Sequence, residues 1–101
     1  MSMQEKKIPT PKMSEILKKE FMEPLDLSAY KLAKKIDVPT SRIQDILHDR
    51  RSISVDTSIR LAKAFGVSPK FFLNIQKDID LRNTEMKNAQ EYANITPFDL
   101  A

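Results

Sequence analysis

Residues 27–54 read LSAYKLAKKIDVPTSRIQDILHDRRSIS, and the fold of the chain turns on how they are parsed. Ser28 has the short acceptor side chain that suits a helix N-cap, and Leu32, Ala33 and Ile36 follow at helical spacing. Asp37 and Val38 then make a tight turn. Pro39 opens a second helix reaching to about His48, with Ile43, Ile46 and Leu47 facing inward. Two short helices joined by so few residues must cross at a large angle. Ala33 is small where the crossing is closest, and Val38, Ile43 and Ile46 fill the wedge between the helices. What remains outside on the second helix is polar: Thr40, Ser41, Arg42, Gln44 and Asp45. These groups suit base edges in a DNA major groove, where Arg reads guanine, Gln reads adenine and Thr meets the thymine methyl.

The surrounding charge agrees with a polyanionic partner. The chain carries a net charge of +3, and residues 28–51 hold six Lys/Arg against three Asp. The first 27 residues balance, and the C-terminal third is slightly acidic. Arg50 and Arg51 directly follow the exposed helix, while Ser28, Lys31 and Lys34 lie on the preceding one, so these five are the expected phosphate contacts. Lys35 shares that surface.

The flanking sequence supplies three more helices. The first spans about 11–22, with Thr10 as cap, Pro11 in its first turn, and Met13, Ile16, Leu17 and Phe21 on one face; Pro24 ends it. A fourth spans about 55–65, with Ser54 as cap, Asp56 near its positive end, and Val55, Ile59, Ala62 and Phe65 inward. Gly66 stops it. A fifth starts at Ser68 and Pro69 and reaches the mid-80s, bearing Phe71, Phe72, Ile75, Ile79 and Leu81. Beyond Met86 the periodicity fades. No stretch alternates with period two, so the expected class is all-α, with five helices. Residues 1–9 form a flexible N-terminal tail, 10–86 the domain, and 87–101 a C-terminal tail.

The composition excludes several functions. The chain has no cysteine, so neither a disulfide nor a thiolate metal site can form, and His48 is the single histidine. With one glycine it has no glycine-rich phosphate loop. The acids are scattered, so nothing meets the requirements of catalysis, and no metal or cofactor is expected. No apolar run reaches the roughly 18 residues of a membrane span, and the polar N-terminus lacks a secretory signal. A cytoplasmic setting is expected.

The pair of helices resembles the Cro/CI (Xre) class of helix-turn-helix, and hence a lambda-repressor-like domain. The likeness extends over about residues 9–85. EILKKEFMEPLDLSAYKLAKKI, then VPTSRIQDILHDRRSIS, then DTSIRLAKAFGVSPKFFLNIQ together resemble the HigA-type antitoxins, also called virulence-associated protein I. Asp37 and Asp49 stand where that class usually has glycine, so both imply a left-handed backbone held by Asp. Ala29 stands where the class often has Gln, which removes a contact from the first helix of the pair.

The resemblance implies an antitoxin that represses its own operon as a homodimer on a palindromic operator, with half-sites roughly 34 Å apart. It also implies a HigB-type (RelE-like) ribosome-dependent mRNA endonuclease as the toxin partner. Phe71, Phe72, Ile75 and Ile79 on the terminal helix are the expected dimer contacts. Two other functions fit the same residues. One is a stand-alone repressor of the same fold, and the other is a protein-binding module in which the helix-turn-helix is vestigial.

Overall fold

A computed structural model describes residues 10–99, and helices are the only regular elements among them. The first, α1, opens over Met13–Ile16, and the chain keeps coiling through a π-helical stretch, Leu17–Met22, and a 3-10 turn, Glu23–Leu25. Its N-cap is Lys12 rather than the expected Thr10; Glu15 reaches back to accept from the Lys12 backbone N–H at 3.4 Å. Pro24 does not end the coil at Met22. It occupies the first turn of the 3-10 segment, where a missing N–H costs nothing, and Asp26 stops the chain with a left-handed backbone at φ 53°. The π stretch widens the turn so that residues five apart stack. Leu17 and Met22 therefore both enter the core, and the Phe21 ring meets Phe65, Phe71 and Phe72 at centroid distances of 5.0, 5.7 and 4.9 Å.

The next two helices form as the sequence predicts. In α2, Ala29–Ile36, the Ser28 hydroxyl accepts the Lys31 N–H at 3.1 Å, and Leu32, Ala33 and Ile36 are buried. Asp37 is left-handed at φ 59°, and the chain re-enters a helix at α3, Thr40–Leu47, with Pro39 at the N-cap. Ile43 and Ile46 are fully buried, Val38 and Leu47 half-buried. Asp49 is also left-handed at φ 59°, and its carboxylate accepts from the Ser14 hydroxyl at 3.0 Å. That bond ties the loop after α3 to α1, and it gives Asp a task at this corner that glycine could not perform.

Helix α4, Val55–Phe65, is capped by Ser54 and stopped by Gly66 at φ 70°, as expected, but its phase is not. Val55 is 58% exposed and Ile59 40%, while Thr57, Ser58, Leu61 and Ala62 face inward. Hydrophobicity favours Val and Ile, yet Ser58 settles the matter with two hydrogen bonds. Its hydroxyl donates to Pro69 O at 2.8 Å and accepts from Leu73 N–H at 3.0 Å, locking α4 to the chain that follows. Ser68 and Pro69 precede the next helix rather than start it: the Ser68 hydroxyl accepts the Lys70 N–H, and α5 runs Phe71–Lys87. A short α6, Ala89–Ala93, follows where only a tail was expected. The expected flexible tail at residues 1–9 lies outside the described residues.

Candidate nucleic-acid interface

The exposed side of α3 carries most of the residues expected to read bases, and its geometry follows from the helix period. With about 100° between successive residues, burying Ile43 and Ile46 turns Ser41, Gln44 and Asp45 outward. Ser41 and Gln44 are exposed, and their side chains make no hydrogen bond among the described residues. Thr40, at the start of the helix, is half-buried. Asp45 is half-buried and already paired: Arg50 Nη2 lies 3.1 Å from its carboxylate and Nε donates to it at 3.2 Å. The pair joins one of the expected base readers to one of the expected phosphate contacts.

His48 stands at the C-cap of α3, the helix end at which the sequence puts it, and its position also continues the exposed face. Its Nδ1 lies 2.8 Å from the Gln44 carbonyl oxygen, and its exposed ring extends the face set by Ser41, Gln44 and Asp45. That continuation is visible in the sequence, since 41, 44, 45 and 48 are the three- and four-residue steps of one helical face.

Arg42 sits differently. Its side chain is 27% exposed, and its Nη1 donates to Asp56 at the start of α4 at 3.1 Å. The same Asp56 oxygen accepts from Arg60 Nε at 2.9 Å. Arg60 Nη1 in turn donates to the carbonyl oxygens of Ile36 at 2.9 Å and Asp37 at 3.3 Å, at the end of α2 and in the turn. The Arg60 hydrogen bond is the main reason the Asp56 carboxyl lies below its ordinary value of 3.8; partial desolvation opposes this, and the charges of Arg60 and Arg42 and the Arg42 hydrogen bond add to it. One acid thus links the three helices that frame the exposed face.

The expected phosphate contacts lie on α2 and its cap and in the loop after α3. Lys31, Lys34, Arg50 and Arg51 are all exposed. Lys34 Nζ rests 5.6 Å from the Tyr30 ring centroid and 3.5 Å from its hydroxyl, a loose contact that a phosphate would displace. The exposed Ser28 hydroxyl caps Lys31 and keeps a lone pair to the outside. Ala29 is half-buried and contributes no polar group.

Two of the four expected dimer contacts, Phe72 and Ile79, are core residues instead. Phe72 is 0% exposed and Ile79 is buried, so neither has surface to give, and Ile75 packs half-buried on the core. A core this small needs every large side chain on its inner stripe. Of the four, Phe71 alone is exposed. The exposed apolar groups lie further along, at Leu81 and Met86 on α5 and at Tyr92, Ile95 and Phe98 beyond it.

Comparison with known proteins places this geometry. The helix-turn-helix family HTH_3 matches residues 18–72. Virulence-associated protein I of Dichelobacter nodosus is 42% identical over 71 residues, covering 70% of this chain and 66% of that protein. Antitoxin HigA-1 of Vibrio cholerae is 30% identical over 86 residues, covering 85% of this chain and 81% of that protein. The solved structure described as Pseudomonas aeruginosa antitoxin HigA with higBA promoter superposes with a TM-score of 0.85 at 30% identity. It covers 90% of this chain and 100% of that one.

Proposed function

From the premise that this chain belongs to the Xre-type helix-turn-helix family HTH_3, among relatives named HigA antitoxin and virulence-associated protein I, we propose that it is a DNA-binding antitoxin. In this reading it binds a palindromic operator in its own promoter as a homodimer and represses the operon. It also neutralises a HigB/RelE-like mRNA endonuclease. Both tasks belong to the cytoplasm.

The observation that carries the reading is the exposed face of α3. Ser41 and Gln44 project from a helix whose opposite side carries the buried Ile43 and Ile46, and the cations Lys31 and Lys34 of α2 and Arg50 and Arg51 of the loop after α3 are exposed. Rigid support with free polar tips is what reading base edges requires. Support for a homodimer comes from the apolar groups left outside on α5 and beyond, Leu81 and Met86 first among them. Residues 10–86 then form the reading domain, with the end of α5 as its dimer contact. Two recognition helices would enter successive major grooves on one side of the duplex.

The test is fluorescence anisotropy of the purified protein on its own upstream DNA and on scrambled DNA over a salt series. Preference of about a thousandfold or more, falling steeply with salt, is the expected result. Equal weak binding to both would overturn the repressor reading. The toxin is tested by co-expressing the neighbouring small reading frame: growth arrest relieved by this chain supports the antitoxin, and a harmless neighbour leaves a stand-alone repressor.

A further inference from the structure

We propose that Arg42 is a positioning residue and not a base reader, and that the chain Arg42–Asp56–Arg60 sets the angle at which α3 meets the groove. The proposal rests on the operator-reading function above and names how that site is held. Arg42 and Ile46 are four residues apart, so about 40° separates them around the helix. Arg42 therefore flanks the buried stripe and leans towards α4, whereas Ser41 and Gln44 stand on the far side. Its guanidinium is bound to Asp56 at 3.1 Å, its side chain as a whole is 27% exposed, and Asp56 is held from the other side by Arg60 at 2.9 Å. Arg60 then anchors to the carbonyl oxygens of Ile36 and Asp37. Each of the two junctions that orient α3, its turn from α2 and its contact with the start of α4, is thereby joined to the same acid. To reach a base, Arg42 would have to give up its bond to Asp56 and leave that carboxylate to Arg60 alone.

The reader and the positioner predict opposite signs for one substitution. If Asp56 merely restrains a base-reading Arg42, Asp56→Asn frees the reader and the preference for operator over scrambled DNA is kept or rises. If the pair positions α3, Asp56→Asn lowers that preference. The ratio is the right readout, because removing a negative charge near DNA strengthens binding to any sequence. The experiment measures operator and scrambled-DNA affinity for wild type, Arg42→Gln, Asp56→Asn and the double variant, together with a set of operators carrying single base-pair changes. Urea unfolding on each protein restricts the comparison to folded material.

We expect each single variant to lose about tenfold in the ratio, and the double variant to lose no more than either one. The ranking of the altered operators should stay that of wild type in all four proteins. The proposal is overturned if Arg42→Gln erases discrimination at one base pair, if the two losses add, or if Asp56→Asn leaves the ratio unchanged or higher. Failure of the repressor reading shows separately, as a wild-type protein with no preference between operator and scrambled DNA.

Discussion

Helix α3 and the second half of α5 are both rich in exposed side chains, yet they are held in opposite ways. In α3, eight residues suffice because Ile43 and Ile46 are fully buried, and the Arg42–Asp56–Arg60 chain braces the flank. Its exposed groups are polar, and in the proposed function they meet DNA. In α5 the inner stripe begins as core, with Phe72, Gln76 and Ile79 buried, and then runs past the edge of the body. The next steps of that stripe are Asn83 and Met86, both exposed, and Met86 is 61% so. A polar face carried by a buried stripe is finished in the monomer. A stripe that outruns its core and leaves Met86 outside calls for a second surface in the proposed dimer.

The largest test of that contrast is Phe72→Ala against Met86→Ala. Removing Phe72 from the inner part of α5 should cost about 3–5 kcal/mol in urea unfolding. Removing Met86 should change monomer stability by less than about 0.5 kcal/mol. Equal losses would mean that the outer half of α5 is core after all. Protein concentration must be fixed in this comparison, since a dimer's stability depends on it.

On α3 the expected loss is in recognition, not stability. Gln44→Ala should weaken operator binding by about 1–3 kcal/mol with the unfolding midpoint unchanged. Should the midpoint drop instead, Gln44 is part of the frame and the contrast between a finished helix and its ligand breaks down. On α5, Leu81→Asp together with Met86→Asp should raise the dimer dissociation constant at least about tenfold, near 1.4 kcal/mol. Sedimentation equilibrium measures it, and an unaltered dimer would move the interface elsewhere.

Smaller effects sharpen the account of the frame. Asp37→Gly relieves a left-handed residue and should add about 0.5 kcal/mol. Asp49→Gly relieves the same strain but loses the hydrogen bond from Ser14, so its gain should be smaller or absent. The smallest effect is that of pH. Asp56 has its folded pKa below the ordinary 3.8, so its contribution is whole above that value and is lost as pH falls through the lower folded one. Operator binding through this pair should therefore be flat from pH 5 to 8, and an acid titration of binding checks it.

Much of this architecture can be read from local sequence. Ser28 and Ser54 each cap the helix assigned to them, Gly66 ends α4, and Asp37 and Asp49 take the left-handed backbone that their positions demanded. Caps and turns are decided within four residues, which a sequence displays directly. The phase of α4 was hidden because it depends on Ser58 bonding to Pro69 and Leu73, groups 11 and 15 positions away. The state of Arg42 was hidden for the same reason, its partner being 14 residues on. At Phe72 the ordinary rule held too well. The residue most attractive as an interface was the one the core needed most.

The π-helical stretch Leu17–Met22 carries a consequence for how such a chain can evolve. Deleting one of its exposed residues, Lys18, Lys19 or Glu20, would restore an ordinary α-helix without removing a core side chain. It would also rotate everything before it by about 100°. Met13 would leave the core and Ser14 would turn away from Asp49, unlatching α1 from the loop behind the recognition helix. Docking at this end of the molecule is encoded by a count of residues more than by their identities. Substitutions at the exposed Lys18, Lys19 and Glu20 should accordingly be common among descendants of this sequence, and single-residue insertions or deletions between 17 and 22 should be rare.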